Sequence, residues 1–256
     1  YPFSTTAPNT KGSCSMKVVV TESFSASSRY IAQRIAQIIA DKPAAKLGLA
    51  TGGSCEGIYA HLVELYQAGK ADFSQVRTVN LDEYVGLPAS DVNSYRYYME
   101  NRLFRHIDAD PKNLHLPNGM AADMEQESRD YENALAARGY ADFAILGMGM
   151  NGHIGFNEPG TSADQKTHVV ELTQSTIDAN SVNFNSPEEM PHKAITMGLY
   201  TILQSKTILL MVRGAKKAEI LKAALTGPVT EQVPASLLQK HPDVIVVADA
   251  EAAALL

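Results

Sequence analysis

Short apolar runs of β-forming residues alternate with amphipathic stretches along most of the chain. Lys17–Thr21 (KVVVT) has the character of a strand and precedes a helical stretch near Ser25–Asp41. Lys46–Ala50 (KLGLA) leads in the same way into a helix near Cys55–Ala68. Val76–Leu81 is a third strand, with helices expected at Ser94–His106 and Glu125–Arg138. Asp142–Gly147 (DFAILG) is a strand that runs straight into a glycine-rich loop. A strand at Thr207–Val212, a helix at Ala215–Leu225 and a strand at Asp243–Val247 complete the pattern. Strands spaced by helical stretches imply βαβ units. The expected fold is therefore α/β: one doubly wound domain over residues 16–256, with a mostly parallel sheet flanked by helices. No internal repeat, low-complexity tract or linker divides it.

The first fifteen residues, YPFSTTAPNTKGSCS, lack this periodicity. They also lack the basic-then-apolar layout of a signal peptide. They are expected to be a loose arm or a non-native remnant, with Met16 as the native start.

Composition narrows the function class. A chain of 256 residues, 45% hydrophobic, can bury a sizeable core. The net charge of −6 and the lack of a basic stripe argue against nucleic acid as a partner. An anionic ligand would depend on local cations instead. Two cysteines, Cys14 and Cys55, cannot build a disulfide framework in a chain of this length. They point to a reducing compartment, the cytoplasm. No Cys/His cluster suggests a metal site. The longest apolar runs, such as Ile208–Val212 and Val244–Ala248, are too short to span a membrane.

In open α/β sheets, ligands bind beyond the carboxyl ends of the strands. Three sequence groups follow strand ends. The first is Thr51-Gly52-Gly53-Ser54. Its glycines let backbone approach a ligand, and the helix behind it offers free N–H groups to a phosphate. The same residues also suit a plain turn with Ser54 as a helix cap. The spacing fits neither a P-loop nor a dinucleotide fingerprint. The second is Asp82-Glu83, whose side chains point opposite ways if the strand continues. One is a candidate general base beside apolar surface, although paired acids at a strand end are often only solvated turn residues. The third is Gly147–Gly160 (GMGMNGHIGFNEPG), where five glycines and a proline forbid a regular helix. In a folded loop His153 and Glu158 can converge, which suits proton shuttling near neutral pH. Asn151 is placed to hydrogen-bond the imidazole.

These segments carry a resemblance. LGLATGGS (47–54), VNLDEYVGLP (79–88), NSYRYYM (93–99), LGMGMNGHIGFNEPG (146–160), PHKAITMG (191–198) and VRGAKKAEI (212–220) resemble the glucosamine-6-phosphate deaminase family. The related 6-phosphogluconolactonases have a loop similar to GxGxDGHxASLFPG, whereas GFNEPG here is the deaminase ending. The resemblance implies a Rossmann-like fold shared with ribose-5-phosphate isomerase and CoA-transferase relatives. It implies a hydrolase that isomerises and deaminates glucosamine 6-phosphate to fructose 6-phosphate and ammonia, with no cofactor or metal. Asp82 matches the base that moves a proton between C2 and C1. His153 matches the ring-opening acid/base and Glu158 its carboxylate partner. Thr51, Gly52, Gly53, Ser54 and Lys217 match phosphate contacts. The implied partner is a small sugar phosphate, and the chain would act as a monomer or homo-oligomer.

Two positions depart from the family pattern. Some members have Asp at Asn151, so the charge there is absent. Val182 stands where an arginine usually grips the phosphate, and valine cannot form a charge-assisted hydrogen bond. The basic residues of an allosteric site are not evident near His168 and Val170, so a non-allosteric enzyme is expected. Alternatives are a galactosamine-6-phosphate deaminase/isomerase, a 6-phosphogluconolactonase, or a catalytically weak sugar-phosphate-binding regulator.

Overall fold

The computed structural model describes residues 5–6 and 15–256. The expectation for residues 1–15 lies largely outside that range. Strand β1 (Thr5–Thr6) is antiparallel to β2 (Ser15–Thr21). From β2 the chain passes through α1 (Phe24–Asp41), β3 (Lys46–Leu49), α2 (Glu56–Gln67) and β4 (Arg77–Asn80). Next come β5 (Asp82–Tyr84), α3 (Tyr95–Arg102), β6 (Leu114–His115), α4 (Met124–Arg138) and β7 (Phe143–Gly147). β8 (His168–Glu171), α5 (Gln174–Asn180), β9 (Lys193–Thr196) and α6 (Leu199–Leu203) follow. β10 (Thr207–Val212), α7 (Ala218–Thr226) and β11 (Asp243–Asp249) close the order.

The local reasons are visible in the helices and strands. Ser23 caps α1 by accepting from the Ala26 N–H. Ile31, Ile35 and Ile39, four residues apart, form its buried face. β10 and β11 are apolar at nearly every position because both faces of the sheet are covered there. The helix expected at Ser94–His106 stops at Arg102 and gives way to a 3-10 turn at Phe104–His106. The helix expected from Ala215 starts as a 3-10 turn, Ala215–Lys217, and becomes α-helical at Ala218.

The main sheet has the order β1-β2-β11-β10-β7-β3-β4-β6 and is parallel apart from β1. The doubly wound, mostly parallel sheet expected from the alternating pattern is present. From β3 the chain steps outward through β4 to β6. From β7 it steps the other way, through β10 to β11. The winding therefore reverses between β3 and β7. These two strands share the register pairs Leu47↔Phe143 and Gly48↔Ala144 and then part. The loops that leave them face a common crevice, where such sheets bind ligands.

A second sheet was not anticipated. β5, β9 and β8 form a small antiparallel sheet. The chain switches sheets at Leu81, whose N–H donates to Leu49 O (3.1 Å) and whose carbonyl accepts from the Met197 N–H (2.7 Å). Asp82 is the first residue beyond that switch. The two sheets therefore meet at the mouth of the crevice.

Candidate active site

A cavity of about 440 Å³ occupies the crevice. Thr51, Gly52, Gly53, Ser54, Asp82, Asn151, His153 and Lys217 all line it. The three sequence groups, far apart in the chain, thus meet at one place. Glu158 stands behind His153 and does not line the cavity.

The loop after β3 is held by its own carbonyls. Tyr59 Oη donates to Ala50 O (2.5 Å) and Tyr98 Oη to Gly52 O (2.9 Å). Gly52 has φ +104°, a backbone state that side chains resist. With these carbonyls turned inward, the loop leaves its N–H groups for a ligand. Ser54 is not the helix cap suggested by its position. Cys55 precedes α2, in a helical conformation and with no side-chain bond to the helix. The positive end of α2 is thus uncapped by any side chain beside the cavity. Cys55 is buried and free, and burial pushes its thiol up to about 12.

Asp82 and Glu83 do diverge. Glu83 turns away from the cavity and accepts from the N–H groups of Tyr84 (2.8 Å), Tyr95 (2.9 Å) and Arg96 (2.9 Å). It anchors the start of α3 and so has a structural task. Asp82 is buried, and no hydrogen bond reaches its carboxylate among the described residues. Burial, helped by neighbouring Glu83, pushes it up to about 8. A carboxyl group of that kind can both take and return a proton near neutral pH.

The β7 loop builds a different environment. His153 Nδ1 lies 3.4 Å from Glu158 Oε2. The ring packs against Gly149, where a Cβ would overlap it. Glu158 accepts from Asn151 Nδ2 (2.6 Å), Thr176 Oγ1 (2.5 Å) and Thr173 Oγ1 (3.2 Å). Burial opposes its ionisation, but His153, Thr176 and Asn151 outweigh that and hold it near 2. Glu158 is therefore an anion that faces an imidazole. Asn151 does not bond the imidazole as expected. Its Oδ1 accepts from the His153 backbone N–H (3.2 Å), while its amide goes to Glu158. It shapes the loop and reaches the ring only through Glu158.

Lys217 ends the 3-10 turn after Gly214, and its Nζ donates to Met148 O. Burial lowers its pKa, with a contribution from Arg213. Sequence reasoning missed several wall residues. Tyr95 and Phe156 line the cavity and stack with rings parallel at 6.2 Å. Thr176 lines it from α5 and also bonds Glu158. NSYRYYM contains Tyr95, but nothing in its pattern reveals which tyrosine turns inward. The only local signal for the α5 threonines is the cap that Thr173 provides.

Comparison with known proteins decides the family. A family model described as glucosamine-6-phosphate isomerases/6-phosphogluconolactonase matches residues 21–246. The chain belongs to this family. Within the glucosamine-6-phosphate isomerase/6-phosphogluconolactonase family it is similar to the glucosamine-6-phosphate deaminase of Thermoanaerobacter pseudethanolicus. The two are 48% identical over 94% of this chain and 95% of the relative. Glucosamine-6-phosphate deaminase 1 of Bacillus subtilis is also 48% identical, over 94% and 99% of the two chains. A solved monomeric glucosamine-6-phosphate deaminase superposes with a TM-score of 0.91 at 48% identity, covering 93% of this chain and 99% of that one. A 6-phosphogluconolactonase from Trypanosoma brucei reaches a TM-score of 0.75 at 18% identity, covering 93% and 98%, and so shares the fold.

The resemblance drawn from the motifs is thus met. The relatives are named deaminases and isomerases, so the expected label of hydrolase is a small error. Among the described residues, no group of three or more His, Cys, Asp or Glu side chains could hold a metal ion. No helix among them is long and apolar enough to cross a membrane.

Proposed function

We propose that this chain converts D-glucosamine 6-phosphate and water into D-fructose 6-phosphate and ammonia. One observation carries the reading. A buried carboxyl group without hydrogen-bond partners, Asp82, shares a cavity with the Glu158-backed His153 and with a glycine loop at an uncapped helix end. The names of the 48% identical relatives support the substrate. The GFNEPG ending, which resembles the deaminase pattern, favours the reading over a lactonase.

The residues divide the chemistry as follows. The N–H groups of Thr51–Ser54 and the Lys217 ammonium hold the phosphate. His153 delivers a proton to the ring oxygen as the C1–O5 bond breaks, and the C1 hydroxyl gives its proton to solvent to form the aldehyde. Glu158 stabilises the charged imidazole through that step. Asp82, once ionised, takes the proton from C2 while O1 gains one from solvent to give an enolamine, and then returns its proton to C1, which leaves a hydroxyl at C1 and an iminium at C2. Water adds there, the C2–N bond breaks, and ammonia leaves with its electron pair. The oxygen of that water becomes the ketone oxygen. Every proton taken is returned, and no oxidant is required.

The test is ammonia release from glucosamine 6-phosphate, run beside galactosamine 6-phosphate and 6-phosphogluconolactone. Ammonia from the first substrate at the highest kcat/KM is expected. Lactone hydrolysis without ammonia overturns the proposal, and tight sugar-phosphate binding without turnover assigns a regulator. The same reading makes the enzyme non-allosteric. Sigmoidal kinetics relieved by N-acetylglucosamine 6-phosphate would count against that part.

A further inference from the structure

We infer that Arg213 is a second cation of the phosphate grip, acting beside Lys217 over the Thr51–Ser54 loop; this rests on the reading above. A sugar phosphate brings about −1.5 to −2 charges at neutral pH. Among the residues that line the cavity, Lys217 is the one lysine or arginine. Val182, in the turn that follows α5, is 80% exposed and brings no charge.

Arg213 directly follows β10, at the carboxyl edge of the sheet. Its Nη2 lies 3.9 Å from the position a Cβ would take on Gly53, the nearest group to that open side of the loop. The guanidinium stacks on the Phe24 ring, with Cζ 4.4 Å from the centroid. Stacking orients the planar group and leaves its charge in place. No carboxylate forms an ion pair with Arg213 among the described residues. Its charge is felt at Lys217, whose proton affinity falls through burial and then through Arg213. Two cations therefore feel one another's charge with no ion-paired carboxylate on either among the described residues, one lining the cavity with the Thr51–Ser54 loop and the other beside Gly53 of that loop. A phosphate dianion relieves that repulsion, and a guanidinium can bind two of its oxygens at once.

The test uses the full chain and the variants Arg213→Met and Arg213→Lys. KM for glucosamine 6-phosphate and the inhibition constant of inorganic phosphate are both measured. In Arg213→Met both should rise about tenfold or more, while kcat changes less than about twofold. Arg213→Lys should recover part of the loss. Unchanged KM and unchanged phosphate inhibition overturn the inference. So does a fall in kcat with a lower melting temperature and no rescue by lysine, which marks a structural residue. If the wild-type chain releases no ammonia, the functional reading fails separately. Calorimetry with inorganic phosphate on the wild type and Arg213→Met then still decides the role of Arg213.

Discussion

Two carboxylates serve one cavity from opposite electrostatic states. Asp82, where the two sheets meet, is pushed up to about 8. Glu158, in the β7 loop, is held near 2. Burial penalises the charge on both. The difference lies in the donors. Asp82 receives none among the described residues, whereas three side chains donate to Glu158 and an imidazole faces it. Glu83 shows that donors alone do not decide the outcome. It accepts three backbone N–H groups, yet deep burial still raises it. The proton carrier and the permanent anion are thus distinguished by surroundings, since all three residues have nearly the same chemistry.

The comparison breaks hardest at Asp82. Asp82→Asn should lower kcat by about 10³-fold, the scale of a lost general base. Affinity for a sugar-alcohol phosphate, measured by calorimetry, should stay within about twofold. Equal loss of both would assign Asp82 a structural role. His153→Gln should cost about 10²-fold in kcat. An open-chain analogue should bind that variant like wild type, since ring opening is the step affected. Weaker binding of the analogue would move His153 from ring opening to substrate holding.

The next effects concern stability. Thr176→Val removes the shortest bond to Glu158 and should cost about 1–3 kcal/mol in urea unfolding. Glu158 has a folded value below its ordinary 4.5. Its contribution is therefore present above that pH and fades as the pH falls toward 2, so the variant should lose most of its deficit in acid. Asp82 has the opposite sign. Its folded value lies above its ordinary 3.8, so the folded state holds a proton that the unfolded state has released. Wild-type stability from this group should fall between pH 4 and 8, and Asp82→Asn should flatten the slope. Because the base must be ionised, kcat/KM should rise through the same upper region. A flat profile between pH 6 and 8 would remove the raised value from the argument. The smallest effect belongs to Val182→Arg. An exposed charge there should lower KM by less than about threefold, because Arg213 already supplies one. A larger fall would mean the grip is incomplete without it.

Much of this was legible in the chain itself. KVVVT, KLGLA and DFAILG announce parallel strands because each is an apolar run next to a helical stretch. The loops after those strands announce ligand contacts because glycine and polar residues gather where the fold leaves ends exposed. The divergence of Asp82 and Glu83 followed from strand alternation alone. The exact partners of Asn151 did not, since an amide can rotate toward any of several acceptors.

What the sequence by itself determined was local: the periods of strands and helices, the glycine loops, and the motif endings that mark the family. What only the tertiary structure decided was non-local. β5, three residues long, shows no period that separates it from β4, and it becomes a distinct strand only because β9 pairs with it from Ala194 to Thr196. That pairing buries Asp82 and raises its proton affinity. Thr176, which helps keep Glu158 ionised, comes from α5, and Arg213 reaches the Gly53 loop from the end of β10. Hydrophobic periodicity is a property of neighbouring residues, whereas a side chain's proton affinity depends on every group that folding brings around it.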